Sequence, residues 1–143
     1  MKCSIIIDKD REEEVVVYVH ENNKFCAAVE QLCRGAEQEL VGYRDGEGEY
    51  LKMHEVYAVT VEGGKTYAVM KDERLLIKSR LYQVEDRLPD SFVKINQSTI
   101  VNVSEIRRFD TSISGSLRIE MRNGFRDYVS RRCMKQVKEK MGV

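Results

Sequence analysis

The 143-residue chain predicts a mainly β fold with short helices, of the α+β class. Three observations predict it. From Leu40 onward, short β-branched and aromatic runs recur between turn residues. Helical spacing of apolar residues is confined to three short windows, around 22–35, 79–88 and 130–141. The stretch Phe92–Asn102 sets two apolar arms, Phe92-Val93-Lys94-Ile95 and Thr99-Ile100-Val101, around Asn96, Gln97 and Ser98. Such a pattern reads as a strand pair, or a kinked strand, presenting amides at its apex.

Taken in order, Cys3–Ile7 and Val15–Val19 are β-prone and predict two strands joined through Asp8-Lys9-Asp10. Asn22 or Asn23 then caps a helix whose apolar face carries Phe25, Cys26, Val29, Leu32 and Cys33, and Gly35 supplies its stop. Leu40–Tyr43 and Glu49–Lys52 flank a D-G hairpin signal. Val56–Val61 and Thr66–Lys71 are strands around Glu62-Gly63-Gly64-Lys65, and Arg74–Lys78 is a further one. Ser79 caps a short helix through Leu88, closed by Pro89, the single proline. Past the central stretch, Glu105–Phe109 continues as a strand. Leu117–Met121 and Phe125–Val129 form a hairpin through Arg122-Asn123-Gly124. Ser130 caps a last helix with Cys133, Met134, Val137 and Met141 on its apolar face. This organisation divides into an acidic β-β-α extension, residues 1–39, and a main domain, residues 40–143.

Composition narrows the function classes. No apolar run reaches the length of a membrane span, and the first residues do not form a signal peptide. The four cysteines include no C-x-x-C pair, and only His20 and His54 could join them, so zinc and disulfide frameworks are poor readings. No cofactor is expected, and a reduced, cytoplasmic setting follows. The zero net charge hides an asymmetry. Residues 1–50 carry six Lys/Arg against twelve Asp/Glu, whereas residues 91–143 carry eleven against five. A basic last third is what a polyanion partner requires, because binding responds to the local field.

Enzyme signatures are missing: the sequence has no Walker loop, dinucleotide fingerprint, nucleophile elbow or H-E-x-x-H. Gly63-Gly64-Lys65-Thr66 has the end of a phosphate loop without its first glycine, and it precedes a strand where that motif needs a helix. The basic third does hold binding chemistry. Arg131 and Arg132 follow Ser130 at the positive pole of a helix, where cations are unfavourable unless an anion answers them. One of them could instead pair with Asp127 or Glu105. An arginine fork matches guanine, and a primary amide such as Gln97 or Asn96 matches adenine. Either amide could equally satisfy turn backbone groups. Asn102, after an apolar strand, reads as a structural pin. The aromatics Phe109, Phe125 and Tyr128 fall at strand positions expected to be buried, which disfavours a single-strand RNA platform.

The blocks Phe92-x-Lys94-Ile95-x-x-Ser98-x-Ile100-Val101-Asn102, Ile106, Asn123-Gly124 and Val129-Ser130-Arg131 resemble the LytTR-type DNA-binding domain of bacterial transcription regulators. The resemblance runs from about Leu40 to Val143. It implies a mostly β fold that contacts double-stranded DNA through loops, at direct repeats in promoters, with bending of the duplex. Carried over by position, the DNA-facing loops are Lys65-Thr66, Asn96-Gln97-Ser98 and Arg131-Arg132. In a DNA complex Lys94, Lys65 and Arg131 are expected to hold phosphates, while Gln97, Asn96 and Arg132 read base edges. The sequence departs from the family at Asn96-Gln97, where His and a basic residue are common. The acidic first fifty residues are too few for a receiver domain, so the resemblance is to a stand-alone regulator. Its extension would be extra packing on the sheet, or a surface for a homodimer or partner protein. The alternative is a protein-interaction or effector-sensing module that does not touch DNA.

Overall fold

A computed structural model describes residues 1–37, 40–111 and 116–143, with the side chains of 34–37 left out. Ten strands and three α-helices make up these residues. The helices are α1 (Lys24–Glu37), α2 (Leu81–Glu85) and α3 (Met134–Met141). The strands are β1 (Leu40–Arg44), β2 (Glu47–Leu51), β3 (Ala58–Glu62), β4 (Lys65–Val69), β5 (Arg74–Ile77), β6 (Phe92–Asn96), β7 (Thr99–Asn102), β8 (Ile106–Asp110), β9 (Leu117–Met121) and β10 (Arg126–Val129).

Seven strands form an antiparallel sheet in the order β2-β1-β5-β4-β3-β7-β6, and β10-β9-β8 form a second. Period-two alternation divides the large sheet between two cores. Val59, Ala68, Leu75, Ile77 and Ile100 pack with Leu81, Val84 and Leu88 of the α2 region. Ala58, Val69, Val93, Ile95 and Val101 pack with Leu117, Ile119 and Met121 of β9 and Val137 of α3. Thus β7 alternates between the cores and is buried along its whole length. At β1 the sheet is tight: a Cβ on Gly42 would lie 2.8 Å from Leu75 Cβ, so the position requires glycine.

Most expected elements are present, and the turns follow the expected chemistry. Asp45-Gly46 and Gly63-Gly64 both have positive φ at their two central residues, as two-residue hairpin loops demand. Several boundaries differ. Helix α1 is capped by Asn23, whose Oδ1 accepts from the Cys26 N–H at 3.2 Å, but it runs through Gly35 rather than stopping there. Helix α2 starts from Arg80, not Ser79, and ends at Glu85. Residues 3–7 and 15–19 are not strands: no backbone–backbone hydrogen bond among the described residues engages residues 1–22. Their β-propensity has no ladder to join. Cys26 and Cys33 are half-buried free thiols.

Candidate nucleic-acid interface

Three loops meet at one end of the large sheet, and backbone hydrogen bonds fix them there. The β6–β7 turn is Gln97-Ser98, closed by the Asn96–Thr99 pair. Its Ser98 carbonyl accepts from the Val61 N–H at 2.8 Å, next to the Gly63-Gly64 turn of β3–β4. A bulge between Lys94 and Asn96 frees Ile95 from the ladder, and its carbonyl accepts from the Ser130 N–H at 2.8 Å. That bond docks the entry of α3 onto β6.

Side chains reinforce the same junction. Asn96 Nδ2 donates to the Tyr128 carbonyl and its Oδ1 accepts from the Ser98 N–H, both at 2.8 Å. Below them, Thr60 and Thr99 share a hydroxyl hydrogen bond at 2.9 Å, and Thr99 Oγ1 donates to Asp127 Oδ2 at 2.7 Å. This chain of polar groups crosses β3, β7 and the start of β10. Sequence reading missed it, since its members lie 28 and 39 residues apart. A legible signal did exist: Thr60 and Thr99 each stand among apolar strand neighbours.

The expected site residues divide accordingly. Gln97 and Ser98 are exposed at the apex, and no side-chain hydrogen bond engages Gln97 among the described residues. Arg131 and Arg132 are exposed beside them. They lie in a turn before α3, because the Ser130 carbonyl accepts from the Cys133 N–H at 3.1 Å and Cys133 occupies the N-cap. Ser130 is therefore not the cap. Lys65 is exposed at the start of β4. Thr66 is 6% exposed, a framework position in the sheet. Asn96 is committed to the turn and β10. Lys94 lies half-buried on edge strand β6 and lines a cleft with Glu85 and Asp90 rather than the apex. Asn102 pins backbone as expected, donating to the Val56 carbonyl and accepting from the Ser104 N–H, each at 3.1 Å.

Ion pairs decide where positive charge remains. Glu120, on the outer face of the small sheet, binds Arg108 and Arg126. Hydrogen bonding from Arg108 first, then from Arg126, lowers its pKa to about 2 against the opposing effect of burial. Glu105 pairs with Arg122 at 3.8 Å, Asp90 with Lys140 at 2.7 Å, and Glu62 with Arg74. Arg118 lies over the Tyr128 ring, 5.5 Å from its centre. Among the described residues no ion pair engages Lys65, Arg131, Arg132, Lys135 or Lys138. Neither Asp127 nor Glu105 neutralises the arginine pair. The cations of the loop cluster and Lys135 and Lys138 of α3 are thus without ion-pair partners among the described residues, as are others elsewhere, including Lys52, Lys71, Arg87 and Arg107. Two aromatics expected to be buried are open instead: Tyr128, at 50%, stands across from Arg118 on the outer face, and Phe109, at 44%, stands across from Ile119 on edge strand β8.

The described residues contain no group of three or more potential metal ligands, and no helix long and apolar enough to cross a membrane. The LytTr DNA-binding domain family matches residues 48–142. A transcriptional regulator of Staphylococcus aureus strain MSSA476, named as HTH-type, is 26% identical over all of this chain and 99% of its own length. Another so named, from strain NCTC 8325, is 31% identical over 73% of this chain and 71% of its own length. No two helices are consecutive among the described elements, so that label is not matched by a helix-turn-helix here. The LytTr DNA-binding domain of a Bacillus cereus protein, titled a methyl-accepting/DNA response regulator, superposes with a TM-score of 0.68 at 23% identity, over 74% of this chain and 98% of that one. By fold and by sequence, this chain belongs to the LytTR family of bacterial DNA-binding domains.

Proposed function

We propose that the protein is a cytoplasmic transcriptional regulator that recognises a specific promoter sequence in double-stranded DNA through its three converging loops. One observation carries the reading: hydrogen bonds join the Gln97-Ser98 turn to both β3 and the α3 entry, where the cations are unpaired. Gln97 and Arg132 read base edges, because an amide and a guanidinium each match a pair of groups on a base. Lys65, Ser98 and Arg131 hold phosphates, which set register without reading sequence. Lys94 reaches a flanking phosphate from the edge strand. Asn96 and Thr66 hold the loops in place. Residues 1–39 supply an assembly surface outside this interface.

The test starts with genomic fragments enriched by binding, followed by shift assays on the best of them. Arg132→Ala and Gln97→Ala should each lose roughly 10- to 100-fold in affinity and relax the preference at one position. Arg131→Ala and Lys65→Ala should weaken all sequences alike and flatten the log–log salt slope by about 0.9 each. Unchanged affinity and preference in both Arg132→Ala and Gln97→Ala would remove the proposed site.

A further inference from the structure

Most exposed large apolar side chains of the described residues lie before residue 33, and Ile5, Ile6 and Ile7 form an uninterrupted run of them at 88%, 85% and 89% exposure. These three have high β-propensity and no ladder. The second β-prone segment is differently placed: Val15, Val17 and Val19 line a cleft with Cys26, Val29 and Cys33 of α1. The stretch Lys2-Cys3-Ser4-Ile5-Ile6-Ile7-Asp8 is exposed at every residue.

Its sequence is self-complementary in one register. If two copies run antiparallel about Ile5, Ile5 faces itself and Cys3 faces Ile7. At both ends Lys2 then faces Asp8. Alternation places Cys3, Ile5 and Ile7 of both copies on one face, as a continuous apolar stripe. Lys2, Ser4, Ile6 and Asp8 fall on the other face, with opposite charges directly across from each other. Opposite charges across a ladder favour a pairing, and like charges disfavour it. Two identical segments form a closed, two-fold contact in which each supplies the ladder partner the other lacks.

We propose that residues 2–8 form an antiparallel strand pair with the same residues of a second copy of this chain, making the protein a homodimer through its first segment. This specifies the assembly role given to residues 1–39 and is independent of how DNA is read. The pair also exposes an apolar stripe that the Val15–Val19 segments can cover, since Ile7 of the stripe already lines a cleft with Val16. A two-stranded pair alone is marginal, so this cover matters.

Sedimentation equilibrium of the full chain tests the register. The wild-type protein should be a dimer. Ile5→Lys, which sets two ammonium groups face to face, should weaken it roughly a hundredfold. Lys2→Asp or Asp8→Lys alone should weaken it roughly tenfold, and the double reversal should restore it. In a chain whose four cysteines are serine, Ile5→Cys should cross-link between copies under mild oxidation. With only the native Cys3 retained, the antiparallel register separates the two thiols by roughly 13 Å and forbids it. A monomeric wild-type protein overturns the proposal. So does a dimer indifferent to Ile5→Lys, a double reversal that does not rescue, or efficient Cys3 cross-linking. Circular dichroism of each variant verifies the fold. Binding of Ile5→Lys to a single-site duplex reports the DNA interface separately, so either idea can fail alone.

Discussion

Two neighbouring amides, Asn96 and Gln97, look interchangeable in the sequence and differ in the structure. Asn96 spends both ends of its amide on backbone, at Tyr128 and Ser98, while Gln97 extends from the apex with none of its groups engaged. The shorter side chain reaches its own turn, and the longer one overshoots it. Asn102 makes the same kind of pin in the buried interior, 3% exposed between Val56 and Ser104. Asn102→Ala leaves a carbonyl and an N–H unanswered there, and should cost about 1–3 kcal/mol in urea unfolding. Gln97→Ala should leave the urea midpoint unchanged, because nothing in the fold depends on its side chain. If the two variants unfolded alike, the division between pin and reader would be wrong.

At the level of elements, local signals locate the hairpins of the main domain but not the first two expected strands, Cys3–Ile7 and Val15–Val19, whose β-propensity meets no partner strand. Hairpins at Asp45-Gly46, Gly63-Gly64 and Asn123-Gly124 follow from residues that tolerate positive φ, and the central pair β6–β7 from its two apolar arms. Features set by distant partners were not legible. Ser130 looks like a helix cap, but its N–H goes to Ile95 and α3 begins after Cys133. Phe109 and Tyr128 alternate as buried residues would, yet Phe109 lies on edge strand β8 and Tyr128 on the outer face of the small sheet, and both are open. On the outer face Glu120 stands across from both Arg108 and Arg126, which no local pattern announces. Its carboxylate, ordinarily near 4.5, is held at about 2. A depressed folded value contributes stability above the unfolded value and loses it as pH falls through the folded one. The stability advantage of wild type over Glu120→Gln should therefore be full above pH 4.5 and fade toward pH 2. Thermal melts across that range check it; an advantage that grows on acidification contradicts it.

Across the whole molecule, two cores clamp one sheet, and the consequence appears at a sheet end. Strand β7 is buried on both faces, so its turn is held rigidly where β3 and the α3 entry also arrive. Acidic residues elsewhere neutralise Arg108, Arg122, Arg126 and Lys140, whereas Lys65, Arg131 and Arg132 at that end have no ion-pair partner among the described residues. Convergence was expected from the resemblance and the charge asymmetry, whereas the bonds that enforce it, Ile95 to Ser130 and Val61 to Ser98, join residues 35 and 37 positions apart and have no sequence signature. The most direct measurement is an amide-resolved NMR titration of the protein with an enriched genomic duplex. Shifts should concentrate at Gly63–Lys65, Gln97–Ser98 and Arg131–Cys133 together, at one common affinity. Shifts centred on the outer face of β8–β10, or on one loop without the other two, would contradict a composite surface.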